Sequence, residues 1–97
     1  MWNQIIIQAI KSLKLIKLTY DGQTRLVEPH VLGYKNYELE LLTWQFSNES
    51  ELGNKEGWRT FQLKKISSLQ IIDQNFNGPR PTKYHDHSKW DSIVENT

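Results

Sequence analysis

The sequence predicts a mainly β fold, a small and strongly bent antiparallel β-barrel that carries an N-terminal α-helix and an irregular C-terminal tail. Three observations support this fold class: apolar residues at helical spacing open the chain, at least six short strand-like segments follow, and the last part shows neither pattern. A chain of 97 residues has the size of one domain, and small barrels fit within it. We therefore assign residues 1–75 to the helix and the barrel, and residues 76–97 to a tail that packs on the barrel.

The first part of the chain predicts an amphipathic helix that ends near Leu13. Its apolar positions are Trp2, Ile5, Ile6, Ala9, Ile10 and Leu13. Polar residues fill the opposite face, so the helix is expected to cover a sheet with its apolar face.

A strand follows the helix, because apolar and polar residues alternate there, and Asp21-Gly22 after it predicts a hairpin turn. A two-residue loop would place Leu18 opposite Arg25. A three-residue loop, with its glycine left-handed, would place Ile16 opposite Leu26. We expect the second register, because a slip of one residue exchanges the two faces of the strand.

Pro29 is expected to end the second strand, and the apolar segment after it to form two more strands divided at Lys35-Asn36. The later of these two changes its apolar face by one residue. Its apolar positions are first Tyr37, Leu39 and Leu41 and then Leu42, Trp44 and Phe46. We therefore expect a β-bulge or a sharp bend near Leu41 and Leu42.

Residues 47–57 read as a polar loop, and two more strands are predicted after it. The strands are "WRTFQL" at 58–63 and "LQIID" at 69–73, joined by the short connector "KKISS".

The tail begins with the turn signal Asn77-Gly78, and Pro79-Arg80-Pro81 predicts an extended path without a sheet ladder, because proline lacks the N–H donor. Phe76 and Tyr84 are expected to bury their rings against the barrel. Weak helical spacing in the last residues allows a short helix there. The residues concerned are Trp90, Ile93 and Val94.

Composition excludes several classes of protein. The chain has no cysteine, so it has neither a disulfide framework nor a thiolate site. No apolar run approaches the ~20 residues that span a bilayer, and no signal peptide is recognisable. A soluble, cytoplasmic chain without a membrane partner is expected. The net charge of +1 does not indicate a polyanion partner for the whole surface, although a local basic site remains open.

Four segments together resemble a WYL domain of the short stand-alone kind, over most of residues 5–84. They are "LTYDGQTRLVEPHVLGY", the strand ending in "LELLTW", "GWRTFQLKKISSLQII" and "FNGPRPTKY". The resemblance implies a Src-homology-3-like, or Sm-like, barrel of five to six strands with an N-terminal helix. It also implies a bacterial or phage protein from transcription regulation or phage defence. Family members are thought to bind nucleic acid or nucleotide-like ligands and are not established enzymes.

The family pattern is matched in part. The matching positions are Arg25, Glu28, Pro29 and the run Arg59-Thr60-Phe61. The Trp-Tyr-Leu signature is replaced by "YELEL" at 37–41. Gln62 stands where the family commonly has Arg, and Lys64-Lys65 replaces an Asp-Arg pair.

The candidate binding site is centred on Arg59, which alternates in step with Phe61 and therefore shares a strand face with a core residue. At the mouth of a barrel, its guanidinium would offer forked donors to a phosphate or carboxylate. The other candidate ligand-binding residues are Arg25, Lys65, Tyr20, Trp58, Arg80 and Tyr84. Aromatic residues interleaved with cations are typical of single-stranded nucleic-acid sites. An internal ion pair between Arg59 and Glu28 is the alternative, and both roles remain open.

Metal and catalytic sites are not predicted. His85-Asp86-His87 offers three ligands, whereas a structural metal site needs about four, so no metal or other cofactor is expected. His30 lacks an identifiable nucleophile and orienting group, and a hydrogen bond across the strand end is the simpler role. We therefore expect a protein that is not an enzyme.

Three functions are compared. The first is a module that binds single-stranded nucleic acid or a nucleotide. The second is a protein-interaction or self-assembling barrel, a homo-oligomer for example, whose open sheet edges pair with another chain. The third, an enzyme, comes last because no complete catalytic set can be named.

Overall fold

The structure is a computed structural model that describes residues 2–46, 56–80 and 90–97. These ranges contain one helix and six strands, and a 3-10 turn at Leu63–Lys65 joins the fourth strand to the fifth. The elements are α1 (Asn3–Ser12), β1 (Lys14–Tyr20), β2 (Gln23–Lys35), β3 (Glu38–Gln45), β4 (Gly57–Gln62), β5 (Ile66–Asn75) and β6 (Ser92–Asn96). The expected mainly β fold with an N-terminal helix is confirmed. No helix in the described ranges is long and apolar enough to cross a membrane.

The six strands form one antiparallel sheet in the order β4-β3-β2-β1-β5, and β6 pairs with the second half of β2. Within the described ranges no ladder joins β4 to β5, so the sheet is open and closure into a barrel is not confirmed.

Helix α1 ends where the sequence predicts. Leu13 adopts a left-handed conformation with φ 55°, and its N–H bonds back to the carbonyls of Ala9 and Ile10. Ile6, Ala9 and Ile10 are buried, so the apolar face of the helix covers the sheet as expected.

The turn between β1 and β2 has two residues, and the expected three-residue register is wrong. Asp21 (φ 53°) and Gly22 (φ 74°) are both left-handed, and Tyr20 pairs with Gln23 across them. A two-residue turn of this kind matches the twist of the strands, and Asp tolerates the left-handed region.

Ile16 consequently pairs with Val27, and Leu18 pairs with Arg25. Leu26, which was expected opposite Ile16, lies on the other face and is 37% exposed. The register therefore places the Arg25 side chain among core residues.

Strand β2 does not end at Pro29. It continues to Lys35, pairing with β1 up to Val27 and with β6 from Val31, on the same edge. Pro29 lies between these two paired stretches, where the missing N–H breaks no ladder on that edge. The expected strand end is therefore wrong, and the first turn after β2 is at Asn36 and Tyr37.

The predicted bulge near Leu41 and Leu42 is misplaced. β3 pairs with β4 without a register shift, whereas the shift lies on β2 between Pro29 and Val31. The apolar pattern of β3 changes face because both faces are covered: Leu41 belongs to one buried cluster and Leu42 to another.

The two clusters define the two sides of the sheet. The helix side contacts α1 and includes Ile6, Ala9, Ile10, Ile16, Leu18, Val27, Leu32, Leu41, Phe61, Leu63 and Ile66. The Trp90 side includes Val31, Leu42 and Trp90, with Trp58 packed against them. Alternation along a strand sends neighbouring residues to opposite sides, so the two clusters interleave in sequence.

The end of the chain forms a strand rather than the short helix that its spacing allowed. β6 lies against β2, and Trp90 just before it packs closely on Gly33. A Cβ at Gly33 would lie 2.7 Å from Trp90 Cε3 and 2.6 Å from the Ser92 carbonyl oxygen, so the contact requires glycine.

The start of the tail follows the prediction. Phe76 is buried, and Pro79 and Arg80 have no sheet ladder. The expected positions of Pro81, Tyr84 and the polar loop at 47–55 lie outside the described residues. β5 begins at Ile66, earlier than the sequence predicts.

Candidate ligand-binding site

The structure divides the predicted site residues between the two sides of the sheet. Tyr20, Arg25 and Arg59 belong to the helix side by strand register, whereas Trp58 packs on the Trp90 side. Arg80 contacts Trp44, which is the register partner of Trp58. The remaining two candidates join neither group: Lys65 is exposed in the 3-10 turn, and Tyr84 lies outside the described residues. The predicted residues therefore do not form one site.

Arg25 is half-buried and is held by neutral acceptors. Its Nη1 donates to Gln45 Oε1 at 3.1 Å, and its Nη2 donates to Gln23 Oε1 at 3.1 Å and to the Tyr20 carbonyl at 3.4 Å. These partners come from β1, β2 and β3, so three strands fix the position of the guanidinium.

Two aromatic rings flank the Arg25 guanidinium. Its Cζ lies 5.9 Å from the centre of the Tyr20 ring and 5.5 Å from that of Phe61. The two rings meet edge to face at 4.8 Å, and Tyr20 Oη accepts a hydrogen bond from the Gln62 N–H. Electron-rich ring faces stabilise a cation at such distances.

The charge of Arg25 is not balanced by a salt bridge to any carboxylate of the described residues. Its Nε is buried and has no hydrogen-bond partner among those residues. An ionised acceptor would form shorter and stronger bonds to the guanidinium than the present amide and carbonyl oxygens do. The site therefore suits a phosphate or a carboxylate.

Arg59 lies on the same side of the sheet. It alternates with Phe61 as predicted, and its register partner across the ladder is Thr43. Its Nη1 donates to the Trp58 carbonyl at 2.7 Å, and the Thr43 hydroxyl donates to the Arg59 carbonyl at 3.0 Å. It is half-buried, which keeps part of the side chain at the surface.

The alternative role of Arg59 as the partner of Glu28 is wrong. Arg80 binds the Glu28 carboxylate instead, with Nε to Oε1 at 2.6 Å and Nη2 to Oε2 at 2.8 Å. Glu28 Oε1 also lies 3.0 Å from Nε2 of His30. Register explains the difference, because Glu28 aligns with Trp44 and so faces the Trp90 side, away from Arg59.

Arg80 is engaged within the protein. Its guanidinium stacks 4.2 Å from the centre of the Trp44 ring, and its hydrogen bonds to Glu28 raise its pKa above the ordinary value. Partial burial opposes this rise, and the charges of Glu28 and Glu56 add to it. With its charge balanced by Glu28, Arg80 is a poor candidate for binding an external anion.

The contacts around His30 were not predicted from the sequence. The ring is 0% exposed, and its Nδ1 lies 3.2 Å from the Thr97 hydroxyl. Trp58 and Phe76 contact the ring, each at 5.3 Å between ring centres. Hydroxyl, imidazole and carboxylate thus form a row, but a fully buried ring with both nitrogens engaged offers no access to a substrate. We assign the row the structural role of joining β6 to β2.

The positions of Glu28 and His30, two residues apart on a strand, are a local signal that could have revealed their contact. Thr97 had no such signal, because it lies 67 positions from His30. Among the described residues there is no group of three or more side chains suited to a metal ion. His85-Asp86-His87 falls outside them.

No known family, curated protein or solved structure matches the chain in sequence or structure comparisons. Function is therefore inferred from the chemistry of the sites.

Proposed function

We propose that the chain is a non-catalytic ligand-binding module of the WYL type, which binds a nucleotide-like ligand or single-stranded nucleic acid at Arg25. The observation that carries this proposal is a half-buried guanidinium that is held by neutral acceptors and has no salt bridge to a carboxylate of the described residues. A phosphate would replace the weak acceptors with charge-assisted hydrogen bonds.

The surroundings of Arg25 support a ligand with both a phosphate and a ring. Tyr20 offers an aromatic surface beside the guanidinium, and base stacking on such surfaces is common in single-strand binding. Arg59 lies on the same side of the sheet and supplies a second positive charge. Trp58 and Arg80 do not belong to this site, because their contacts lie on the opposite side of the sheet.

The resemblance to WYL domains also implies a particular type of barrel and a cellular context for this proposal. The order of the strands, the leading helix and the 3-10 turn between β4 and β5 are compatible with a Src-homology-3-like or Sm-like barrel that is incompletely closed. The setting implied by the resemblance is bacterial regulation or phage defence in the cytoplasm.

A titration followed by tryptophan fluorescence tests the function. Short single-stranded DNA, RNA and mononucleotides are added at two salt concentrations, and binding is expected to weaken as salt rises. Arg25→Gln should weaken binding by about 1–3 kcal/mol, the usual size of a lost charged hydrogen bond. Lys65→Ala, at an exposed position, should mainly reduce the salt dependence. Wild-type protein that binds none of these ligands at low salt would refute the proposal.

A self-assembling module is the second candidate, favoured by the open edges of the sheet. In the described ranges β4 and β5 end the sheet, and β5 extends over ten residues from Ile66 to Asn75. An exposed edge can pair with another chain. Sedimentation over a range of protein concentrations tests this candidate, which requires an oligomer that nucleotides do not affect.

A further inference from the structure

The turn between β2 and β3 presents an aromatic side chain to solvent. Asn36 (φ 51°) and Tyr37 (φ 66°) both adopt left-handed conformations, and Tyr37 is 97% exposed. A two-residue turn of this kind favours glycine at its second position. A bulky residue with positive φ is uncommon, and its exposed ring buries no apolar surface. Tyr37 therefore contributes little to folding at a position where Gly would be less strained, which points to a role in binding.

Tyr37 lines an open hollow with residues from β2 and from the start of β6. The hollow has a volume of about 570 Å³ and is lined by Tyr34, Asn36, Tyr37, Asp91 and Ser92. The Asp91 N–H donates to the Tyr34 carbonyl at 2.8 Å, so the two sides of the hollow are fixed relative to each other. Tyr34 is itself 39% exposed.

The lining has one kind of charge. Asp91 is the only charged residue among the lining side chains in the described ranges, and two phenol rings accompany it. The nearest lysine in sequence, Lys35, places its Nζ 4.5 Å from the centre of the Trp90 ring and does not line the hollow. A carboxylate that shares a hollow with two tyrosines is suited to a cation and unsuited to a phosphate.

We propose that this hollow binds a lysine or arginine side chain of a protein partner. The hollow is open, so a side chain that projects from a partner surface can enter it. Tyrosine is enriched among the residues that dominate binding energy at protein interfaces. The hollow lies at the opposite end of β2 from Arg25, so it is a second site that does not depend on the proposed anion site.

Capped tripeptides provide the probe. Gly-Lys-Gly and Gly-Arg-Gly are titrated into the full chain and followed by amide NMR shifts, with Gly-norleucine-Gly as an uncharged control of similar length. The charged peptides should produce saturable shifts at Asn36, Tyr37, Asp91 and Ser92. Norleucine should produce much smaller shifts, because it lacks the charge that the carboxylate and the rings recognise.

Two variants separate binding from folding. Asp91→Asn should weaken binding of the charged peptides roughly threefold to fivefold, the ratio that corresponds to a surface charge interaction. Tyr37→Gly should abolish the shifts while raising the melting temperature, because glycine relieves the left-handed strain. A residue with only a structural role would not lose binding while the fold became more stable.

Arg25→Gln is the control that keeps the two proposals distinct, because it should weaken nucleotide binding and leave peptide binding unchanged. Absence of shifts at the hollow at saturating peptide, or equal shifts with the norleucine peptide, would overturn the inference whatever the outcome at Arg25.

Discussion

Arg80 and Glu28 form a bidentate ion pair that joins the segment after β5 to the middle of β2. The guanidinium Nε lies 2.6 Å from Oε1 and Nη2 lies 2.8 Å from Oε2, and the carboxylate side chain is only 8% exposed. His30 binds the same carboxylate at 3.0 Å. A buried carboxylate with two such partners ties the tail to the sheet, and loss of the arginine would leave it poorly compensated.

Replacing Arg80 with Ala should therefore destabilise the fold by about 2–4 kcal/mol, somewhat less than for a fully buried pair because the Arg80 side chain is 34% exposed. Urea unfolding measures the change. In a double-mutant cycle with Glu28→Gln, Arg80→Ala should show strong coupling and Arg59→Ala little, since Arg59 faces the other side of the sheet.

The exposed pair of Lys14 and Asp73 is the matched control for that cycle. Its Nζ–Oδ1 distance is 2.8 Å, yet the Asp73 side chain is 97% exposed. Lys14→Ala should change stability far less than Arg80→Ala does, because solvent screens an exposed pair. Equal coupling of Glu28 to Arg59 and to Arg80 would contradict the assignment of the pair.

The contact between Gly33 and Trp90 predicts how β6 can be released. Gly33→Ala places a Cβ against the Trp90 ring and the Ser92 carbonyl, and should destabilise the fold by about 1–3 kcal/mol. Hydrogen exchange should then accelerate for β6 amides before those of the other strands.

Gly22→Ala is the comparison, since a Cβ there meets nothing within 4 Å. It should cost about 1 kcal/mol through its left-handed backbone alone and leave β6 protected. Unchanged exchange of β6 in Gly33→Ala would show that the close packing of Trp90 does not hold this strand.

The carboxyl group of Asp73 is predicted to titrate at acidic pH below the ordinary range. The hydrogen bond from Lys14, aided by its charge, lowers the Asp73 pKa from 3.8. Because the folded pKa is below the unfolded one, the pair stabilises the fold above pH 3.8, and this contribution disappears as pH falls through the folded pKa.

NMR titration of the side-chain carboxyl measures this shift. Lys14→Gln should return the Asp73 pKa towards its ordinary value, and added salt should reduce the shift in the wild type because the pair is exposed. An Asp73 pKa that is the same in both proteins would exclude Lys14 as the cause.

Local patterns predicted the helix and the positions of most strands, because periodicity reports which face of a segment is buried. These patterns failed where the structure depends on the backbone conformation of a turn residue or on pairing with a segment distant in sequence. Asp21 accepts a left-handed conformation, which moved the hairpin register by one residue. β6 was missed because its strand character depends on pairing with β2, which is remote in sequence.

The candidate site, like the fold, was predicted from the sequence only in part. Tyr20 and Arg25 were both named from sequence and do meet, since they flank one turn. The partner considered for Glu28 from the sequence, Arg59, is not the one that binds it, because Arg80 lies 52 positions away and no local pattern distinguishes it from Arg59. Which arginine balances the carboxylate is decided by the side of the sheet that each residue faces.

The Nε–H resonance of Arg25 offers the most direct test of this side chain as the ligand-binding cation. This N–H belongs to the half-buried guanidinium, so a phosphate that binds the guanidinium should change its environment. Addition of a mononucleotide should shift the resonance saturably, and the matching nucleoside without phosphate should not. A resonance that stays unchanged in a large excess of mononucleotide at low salt would contradict the assignment of Arg25 as the anion-binding residue.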